Sequence, residues 1–414
     1  MITVKPFFAL RPDAQYAEQC AALPYDVMSS DEAREEVKGK PYSFLHIDKA
    51  EIDLEKGIDL YDEKVYAKAA ENLKVFENKG IYVNDENKKY YFYRQIMNGH
   101  SQTGIVGCAS IDDYLENRIK KHEFTRADKE IDRIKHVDTC SAHTGPIFLT
   151  YKDSSTLDKI IDMETKKAPL YDFIADDGVR HTVWTTSNAD IDKDIEAAFA
   201  DLDALYIADG HHRAASAVKV GLKRRGENAS HTGNEEYNFF LSVIFPSKSL
   251  AILDYNRLIK DLNGYSVDEF LSLVSKTVGT VEMYEGMGAY RPDSKHTVGI
   301  YVGGNWYKVK FYSEICNAES PVDRLDCAIL QKNLLSAILG INDPRSDKRI
   351  DFAGGIRGLE YLEQRCNEDM VAAIAMYPTS LDELMSVADS GEVMPPKSTW
   401  FEPKLRSGLL IHKI

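Results

Sequence analysis

Apolar runs and alternations along the chain predict a mixture of strands and helices. A nearly continuous apolar run at residues 237–245 predicts a buried central strand. Apolar residues at helical spacing over 65–78 predict a helix, and the largely apolar segment 42–47 predicts a strand. The segments 90–97 and 103–111 flank Asn98-Gly99, which is typical of a tight hairpin turn. Strands and helices mixed in this way indicate an α+β fold.

A further α+β section follows from about residue 265, and it ends in a proline-containing tail. Residues 394–409 are neither helical nor strand-like in pattern, because prolines fix the backbone there and remove hydrogen-bond donors. Trp400 and Phe401 stand among those prolines, so we expect the tail to pack back on the body of the protein. We therefore predict three sections: an N-terminal α+β section at 1–110, a core at 111–260, and a C-terminal α+β section with its tail at 261–414.

One stretch of the chain combines a predicted strand and helix with residues suited to binding a ligand. The apolar run 204–208 predicts a buried strand, and small residues after position 213 predict a helix. Between them stand Asp209, Gly210, His211, His212 and Arg213. Glycine permits a sharp turn, the aspartate is suited to cap the helix, and a helix N-terminus attracts anions. The motif predicts phosphate binding; the alternative is a capped helix with solvated polar residues.

Composition and charge narrow the possible partners of the 414-residue chain. Its net charge of −15 disfavours a protein that binds nucleic acid by neutralising phosphates. Six scattered cysteines and an N-terminus without an apolar signal segment favour a reduced, cytoplasmic protein. No apolar run approaches the roughly 20 residues that span a bilayer, so no membrane association is expected.

A second dense cluster of titratable residues occupies positions 118–133. His122 and Glu123 stand just before a predicted helix, a position where catalytic groups are often placed. Thr125 and Asp128 suggest the start of that helix, on which Lys129, Asp132 and Arg133 lie on nearby faces. A solvated helix with surface ion pairs is the alternative explanation.

The tail supplies cations and hydroxyls as well. Lys397, Ser398, Thr399 and Lys404 are spaced along a backbone that prolines hold rigid. They are candidates to hold anionic ligand groups, although a purely structural strap fits the same pattern.

Several familiar catalytic patterns are absent, among them GxxxxGK[ST], GxGxxG after a strand, HExxH and GxSxG. The residues that are present match the needs of phosphoryl transfer. Cations neutralise phosphate charge, and a carboxylate orients a hydroxyl nucleophile.

Four motifs together resemble the bacterial family known as domain of unknown function 1015: Pro24-Tyr25-Asp26-Val27, His122-Glu123-Phe124-Thr125 with Lys129 and Asp132-Arg133, Asp209-Gly210-His211-His212-Arg213, and Met394-Pro395-Pro396-Lys397-Ser398-Thr399. The Asp-Gly-His-His-Arg motif is also similar to the phosphate motif of the ParB and sulfiredoxin superfamily, which includes free L-serine kinases. The resemblance implies a ParB/sulfiredoxin-like core with large N- and C-terminal elaborations around one cleft.

The resemblance also implies roles for individual residues. Within a nucleotide- and phosphate-binding core at 111–260, Asp209, Gly210, His211, His212 and Arg213 would hold the phosphates of ATP. Lys397, Ser398, Thr399 and Lys404 of the tail lie outside the superfamily core, and their candidate role in phosphate binding rests on charge and context alone. Glu123, with His122 beside it, would accept the serine hydroxyl proton. Arg133, Lys129 and Asp132 have no counterpart assigned in those kinases, and they are candidates to contact a small amino-acid substrate by charge and position alone. Mg²⁺ would neutralise phosphate charge. The implied activity is ATP-dependent formation of O-phospho-L-serine; the alternatives are a ParB-like nucleotide-binding regulator and a phosphodiesterase or nuclease.

Overall fold

The computed structural model describes all 414 residues, with 21 strands and 14 α-helices. The strands are β1 Val4–Lys5, β2 Ala9–Pro12, β3 Tyr82–Asn84, β4 Tyr91–Met97, β5 His100–Ser110, β6 Ile119–Lys120, β7 Ala142–His143, β8 Ile147–Tyr151, β9 Tyr171–Ile174, β10 Arg180–Thr185, β11 Leu205–Asp209, β12 Phe239–Pro246, β13 Ala251–Leu253, β14 Tyr255–Ile259, β15 Gly279–Met283, β16 Thr297–Val302, β17 Asn305–Phe311, β18 Ile350–Gly354, β19 Ala372–Ala375, β20 Trp400–Glu402 and β21 Ile411–Lys413.

The α-helices are α1 Ala17–Cys20, α2 Ser30–Glu36, α3 Leu45–Asp48, α4 Glu63–Asn78, α5 Ile111–Leu115, α6 Ala127–Cys140, α7 Ser155–Glu164, α8 Ala189–Ala200, α9 His211–Glu227, α10 Val267–Thr277, α11 Ser313–Cys316, α12 Asp326–Leu330, α13 Glu360–Glu368 and α14 Leu381–Ser390. This mixture confirms the predicted α+β class. None of the helices combines the length and apolarity that crossing a membrane requires.

The chain forms two compact units, and the first is discontinuous. Residues Met1–Leu250 and Pro403–Ile414 form the first unit, and Ala251–Glu402 form the second. This division differs from the three predicted sections. The two segments expected to be separate, 1–110 and 111–260, contribute strands to one sheet: β5 pairs with β12 over six residue pairs.

A nine-stranded mixed sheet forms the centre of the first unit. Eight strands lie in the order β6-β11-β8-β12-β5-β4-β10-β9, and β1 also pairs with β5. The apolar run predicted at 237–245 is the central strand β12, which is almost wholly buried. Strand β11, which leads into the predicted phosphate motif, pairs with β8 on one side and β6 on the other. The motif therefore rests on a rigid sheet.

The last strand of the chain completes the first unit. In a four-stranded sheet of order β3-β2-β21-β7, β21 lies between β2 and β7. Ile411 is fully buried in the apolar cluster beneath that sheet, which also contains residues of α4. Residues 403–414 are thus part of the first unit.

The second unit is built on a six-stranded sheet of order β15-β17-β16-β19-β14-β18. Its core contains Leu258, Trp306 and Leu362 from three different elements. A separate two-stranded pair joins β13 and β20, so Trp400–Glu402 belong to this unit.

Of two local predictions, one is confirmed and one is wrong. The hairpin at Asn98-Gly99 is confirmed: β4 and β5 pair from Met97 and His100 outward, and both turn residues have positive φ. The predicted strand over 42–47 is wrong, because helix α3, Leu45–Asp48, occupies its second half and the first half is not a strand. Phe44, Leu45 and Ile47 are all buried, which a helical turn allows and a strand with one solvated face does not.

Candidate functional site

The predicted strand, turn and helix are present at residues 205–227. Strand β11 ends at Asp209, and α9 begins at His211 after Gly210, whose φ of 93° lies in the left-handed region that suits glycine. Gly210 is the N-cap, and no side chain caps the helix. Asp209 therefore does not cap α9 as predicted; its Oδ1 accepts the N–H of Gly210 at 2.8 Å. The N–H groups of the first helical turn remain directed along the axis, as an anion site requires.

Lys404 approaches this turn from the end of the chain. Its Nζ lies 3.1 Å from Oδ2 of Asp209, and its backbone carbonyl accepts a hydrogen bond from Gln95 at 2.8 Å. Burial raises the pKa of Asp209, but Lys404 and Arg213 outweigh burial and hold the pKa well below its usual range. The aspartate is thus ionised, and it keeps a lysine beside the N-terminus of α9.

Arg213 is a buried cation in the first turn of α9. Its Nη1 donates to the carbonyl of Pro146 at 2.7 Å, while its Nε has no protein partner. Burial opposes its charge, but Asp26 and Asp209 raise its pKa, so the guanidinium stays charged. One donor of this fixed cation is therefore available to a ligand.

His211 connects the helix to the predicted catalytic carboxylate. The backbone N–H of His122 donates to His211 Nε2 at 3.4 Å, and His211 Nδ1 lies 3.6 Å from Oε2 of Glu123. The rings of His122 and His211 meet edge to face with centroids 4.5 Å apart. The structure thus brings His122, Glu123 and His211 together, while the Glu123 side chain stays 47% exposed and accessible to a substrate.

Both buried histidines are neutral. Burial lowers the pKa of His122 to about 4, and burial with the nearby His122 holds the pKa of His211 well below its usual range. Because His211 Nε2 accepts a hydrogen bond, its proton lies on Nδ1, the nitrogen that faces Glu123. His211 therefore positions the carboxylate.

His212 contacts a different part of the loop that carries Glu123. Its Nε2 accepts the backbone N–H of Arg126 at 3.0 Å. Arg126, and not Thr125, is the N-cap of α6, whose first residue is Ala127. His211 and His212 thus fix the two ends of the segment 122–126 that carries Glu123.

The three predicted substrate residues on α6 have different surroundings. The exposed Lys129 donates to the hydroxyl of Tyr61 at 3.2 Å. Asp132 is buried and accepts from Tyr66 at 3.0 Å and from Arg133 at 2.9 Å. Arg133 is also buried, and its guanidinium lies 3.9 Å from the ring centre of Tyr25.

Three predicted phosphate-binding residues of the tail belong to the second unit, unlike Lys404. The ammonium of Lys397 lies 5.5 Å from the ring centre of Tyr255, and Ser398 donates to the carbonyl of Pro395 at 2.6 Å. The carbonyl of Ser398 accepts the hydroxyl of Thr379 at 3.0 Å, and Thr399 directly follows it. The contacts of Lys397 and Ser398 fit a structural role within that unit.

A cavity of about 30 Å³ lies beside the phosphate motif, and sequence reasoning missed most of its lining. Arg133 and Arg213 contribute to its wall, with Tyr25, Asp48, His136, Val137, His143, Thr144, Gly145, Ile147 and Ser407. One signal was available: Arg133 and His136 are three residues apart on α6 and so share a helix face. Isolated residues such as Asp48 and His143 carry no such signal.

The donor set at the turn fits a metal that arrives with a nucleotide. No group of three or more His, Cys, Asp or Glu side chains is arranged to hold a metal by itself. Mg²⁺ commonly takes one or two protein carboxylates and completes its shell with phosphate and water. Asp209 and Glu123 are the carboxylates at this end of α9, so the residues fit such an ion.

Comparisons with known proteins found a family model and distant structural similarities. The model described as "Protein of unknown function (DUF1015)" matches residues 4–328. No curated protein matches the sequence.

Among solved structures, SbnI with a C-terminal truncation from Staphylococcus aureus is similar at 11% identity and a TM-score of 0.38, over 74% of this chain and 87% of that one. A free serine kinase in complex with AMP is similar at 15% identity and a TM-score of 0.35, over 73% and 90%. A conserved hypothetical protein from Pyrococcus furiosus is similar at 15% identity and a TM-score of 0.34, over 73% and 93%.

Proposed function

The chain belongs to the DUF1015 family, and for this member we propose an ATP-dependent transfer of phosphate to the hydroxyl of free L-serine. One observation carries the proposal. The uncapped start of α9, with Lys404 beside it, lies next to a carboxylate, Glu123, that His211 holds from the same helix turn. An anion site and a positioned carboxylate are the two parts that phosphoryl transfer requires.

The phosphate half of the site uses fixed positive charge. The first-turn N–H groups of α9 and the ammonium of Lys404 would bind the phosphate oxygens of ATP. Asp209 keeps Lys404 in place before the nucleotide arrives, so little reorganisation accompanies binding. Asp209 would serve as a protein ligand of Mg²⁺ bound to the nucleotide, and the ion would supply charge neutralisation of the phosphates.

The acceptor half uses Glu123. The serine Oγ would attack the γ-phosphorus, the bond to the β,γ-bridging oxygen would break, and ADP would leave. The hydroxyl proton would pass to the Glu123 carboxylate, which His211 Nδ1 faces at 3.6 Å. A neutral His211 suits this role, because a charged imidazole would weaken the basicity of the carboxylate.

Serine as the acceptor is supported by the resemblance of the Asp209–Arg213 motif to that of free L-serine kinases. The decisive experiment is incubation with ATP, Mg²⁺ and L-serine, with O-phosphoserine followed by mass spectrometry and ADP by chromatography. We expect both products in equal amounts. ATP binding without product from serine, threonine or homoserine would refute the kinase and favour a nucleotide-binding regulator. Release of inorganic phosphate or cleavage of nucleic acid would favour a phosphodiesterase or nuclease.

A further inference from the structure

The cavity beside Arg213 is lined by positively and negatively charged side chains and by buried polar atoms that have no hydrogen-bond partner. Arg133 and Arg213 supply two guanidinium groups, and Asp48 supplies a carboxylate. His136 and His143 are 2% and 5% exposed, and each has one ring nitrogen without a protein partner. Buried polar atoms in native proteins are nearly always paired, so these atoms indicate a ligand or ordered water.

The hydrogen bonds of His143 determine which of its nitrogens carries a proton. Burial lowers the pKa of His412, so its ring is neutral and carries one proton. Nε2 of His412 lies 2.9 Å from the carboxylate of Glu236 and donates to it, so Nδ1 of His412 holds a lone pair. Nδ1 of His143 donates to that lone pair at 3.2 Å. Nε2 of His143, the unpartnered atom, is therefore an acceptor.

His136 also has one unprotonated ring nitrogen, and a different hydrogen bond determines which nitrogen it is. Its Nε2 lies 3.0 Å from the carbonyl of Ile47 and must donate to it. Its unpartnered Nδ1 is thus also an acceptor. Burial lowers the pKa of both His136 and His143, which keeps the two rings neutral and their acceptors free of protons.

Neither a simple anion nor a simple amine satisfies all of these groups. An anion would pair with Arg133 and Arg213 but would leave the two histidine acceptors facing another acceptor. An amine would bond to Asp48 and the histidines but would leave the Nε of Arg213 unpaired. A carboxylate joined to an ammonium satisfies both sets. A volume of about 30 Å³ admits at most the two charged ends of a small ligand and excludes a nucleotide.

We propose that this cavity binds the α-carboxylate and α-ammonium of a free amino acid, with Arg133 and Arg213 on the carboxylate and Asp48, His136 and His143 on the ammonium. The inference rests on the proposed function in that it supplies the head-group site of the acceptor. Arg213 links the two sites, because it lines the cavity and its Nε would lie 3.4 Å from a Cβ on Gly210. The enzyme would then select free amino acids, since a serine within a peptide lacks both charged groups.

The test compares ligands on the unmodified protein by calorimetry. L-serine and glycine should bind, because both carry the head group. Ethanolamine lacks the carboxylate and 3-hydroxypropionate lacks the ammonium, so each should bind at least about 100-fold more weakly than L-serine, since buried partners stay unpaired. Equal binding of either analogue, or no binding of serine and glycine by a cavity that holds only water, would overturn the proposal.

Two variants on α6 extend the test. Arg133→Met should lose serine and glycine binding yet keep ATP binding. Lys135→Met, whose ammonium pairs with Glu63 away from the cavity, should keep both. Serine binding with the expected analogue pattern but without O-phosphoserine would refute the kinase alone. O-phosphoserine formation with unchanged KM for serine in Arg133→Met would refute the head-group site alone.

Discussion

The ammonium of Lys404 lies 3.1 Å from the carboxylate of Asp209, although the two residues are 195 positions apart in the chain. The pair places a cation from the tail beside the N-terminus of α9. Lys404→Met should therefore raise the KM for ATP about 10-fold or more, equivalent to about 1.4 kcal/mol, because the phosphates lose a cation and gain an uncompensated aspartate. Steady-state kinetics with varied ATP measure this change. Lys413→Met, which removes a tail lysine paired with Glu77, is the matched control and should leave the KM unchanged.

Glu123→Gln should lower kcat about 10²- to 10⁴-fold, because the amide retains the shape of the carboxylate but accepts no proton. Nucleotide affinity should stay close to that of the unmodified protein. Glu116→Gln changes an exposed carboxylate paired with Arg118 and serves as the control. Full turnover by Glu123→Gln, measured as O-phosphoserine per minute, would remove this residue from the mechanism.

Gly210→Ala should destabilise the protein by about 1–3 kcal/mol, because an L-residue adopts a φ of 93° only under strain. The added Cβ would also lie 3.4 Å from Arg213 Nε and disturb the phosphate site. Gly226→Ala, in the last turn of the same helix and in open space, should instead stabilise by up to about 1 kcal/mol. Urea unfolding of the two variants at neutral pH measures the change in the free energy of unfolding. Changes of the same sign in both variants would contradict the expectation.

The free energy of unfolding should fall as the pH drops from about 6.5 towards 4. The unfolded chain protonates its histidines near pH 6.5, whereas burial lowers the pKa of His122 to about 4 in the folded state. The unfolded state therefore binds more protons in this window, and His122 alone should account for about 3 kcal/mol. Urea midpoints at pH 7, 6 and 5 measure the slope. His122→Asn should flatten it, and an unaltered slope would show that His122 ionises while folded.

The strand, turn and helix at residues 205–227 could be predicted from the sequence better than their surroundings. Asp209, Gly210 and Arg213 lie within five consecutive residues, so local turn and helix chemistry predicts their arrangement. Lys404 was identified by its charge alone, and its contact with Asp209 depends on the long-range pairing of β21. Lys397, equally cationic and only seven residues earlier, belongs to the other unit.

The cavity could not be predicted from local sequence, for the same physical reason. Asp48, His136 and His143 come from three separate elements that meet only after the sheets and helices have packed. Similarly, the apolar segment 42–47 has residues that fit a strand, but the burial of both Phe44 and Leu45 favours a helical turn. Tertiary packing therefore determines both the lining of the cavity and the conformation of residues 42–47.

The discontinuity of the first unit has a consequence during synthesis. The ribosome produces Met1–Leu250 first and then the whole of Ala251–Glu402 before it reaches Pro403. The second unit is continuous in sequence and can fold as it emerges, whereas the first must wait with a gap between β2 and β7 until β21 is made. Lys404 joins Asp209 only at that final stage. A nascent chain thus carries Glu123 and Asp209 long before it carries Lys404, so the proposed ATP site is incomplete until translation has passed both units.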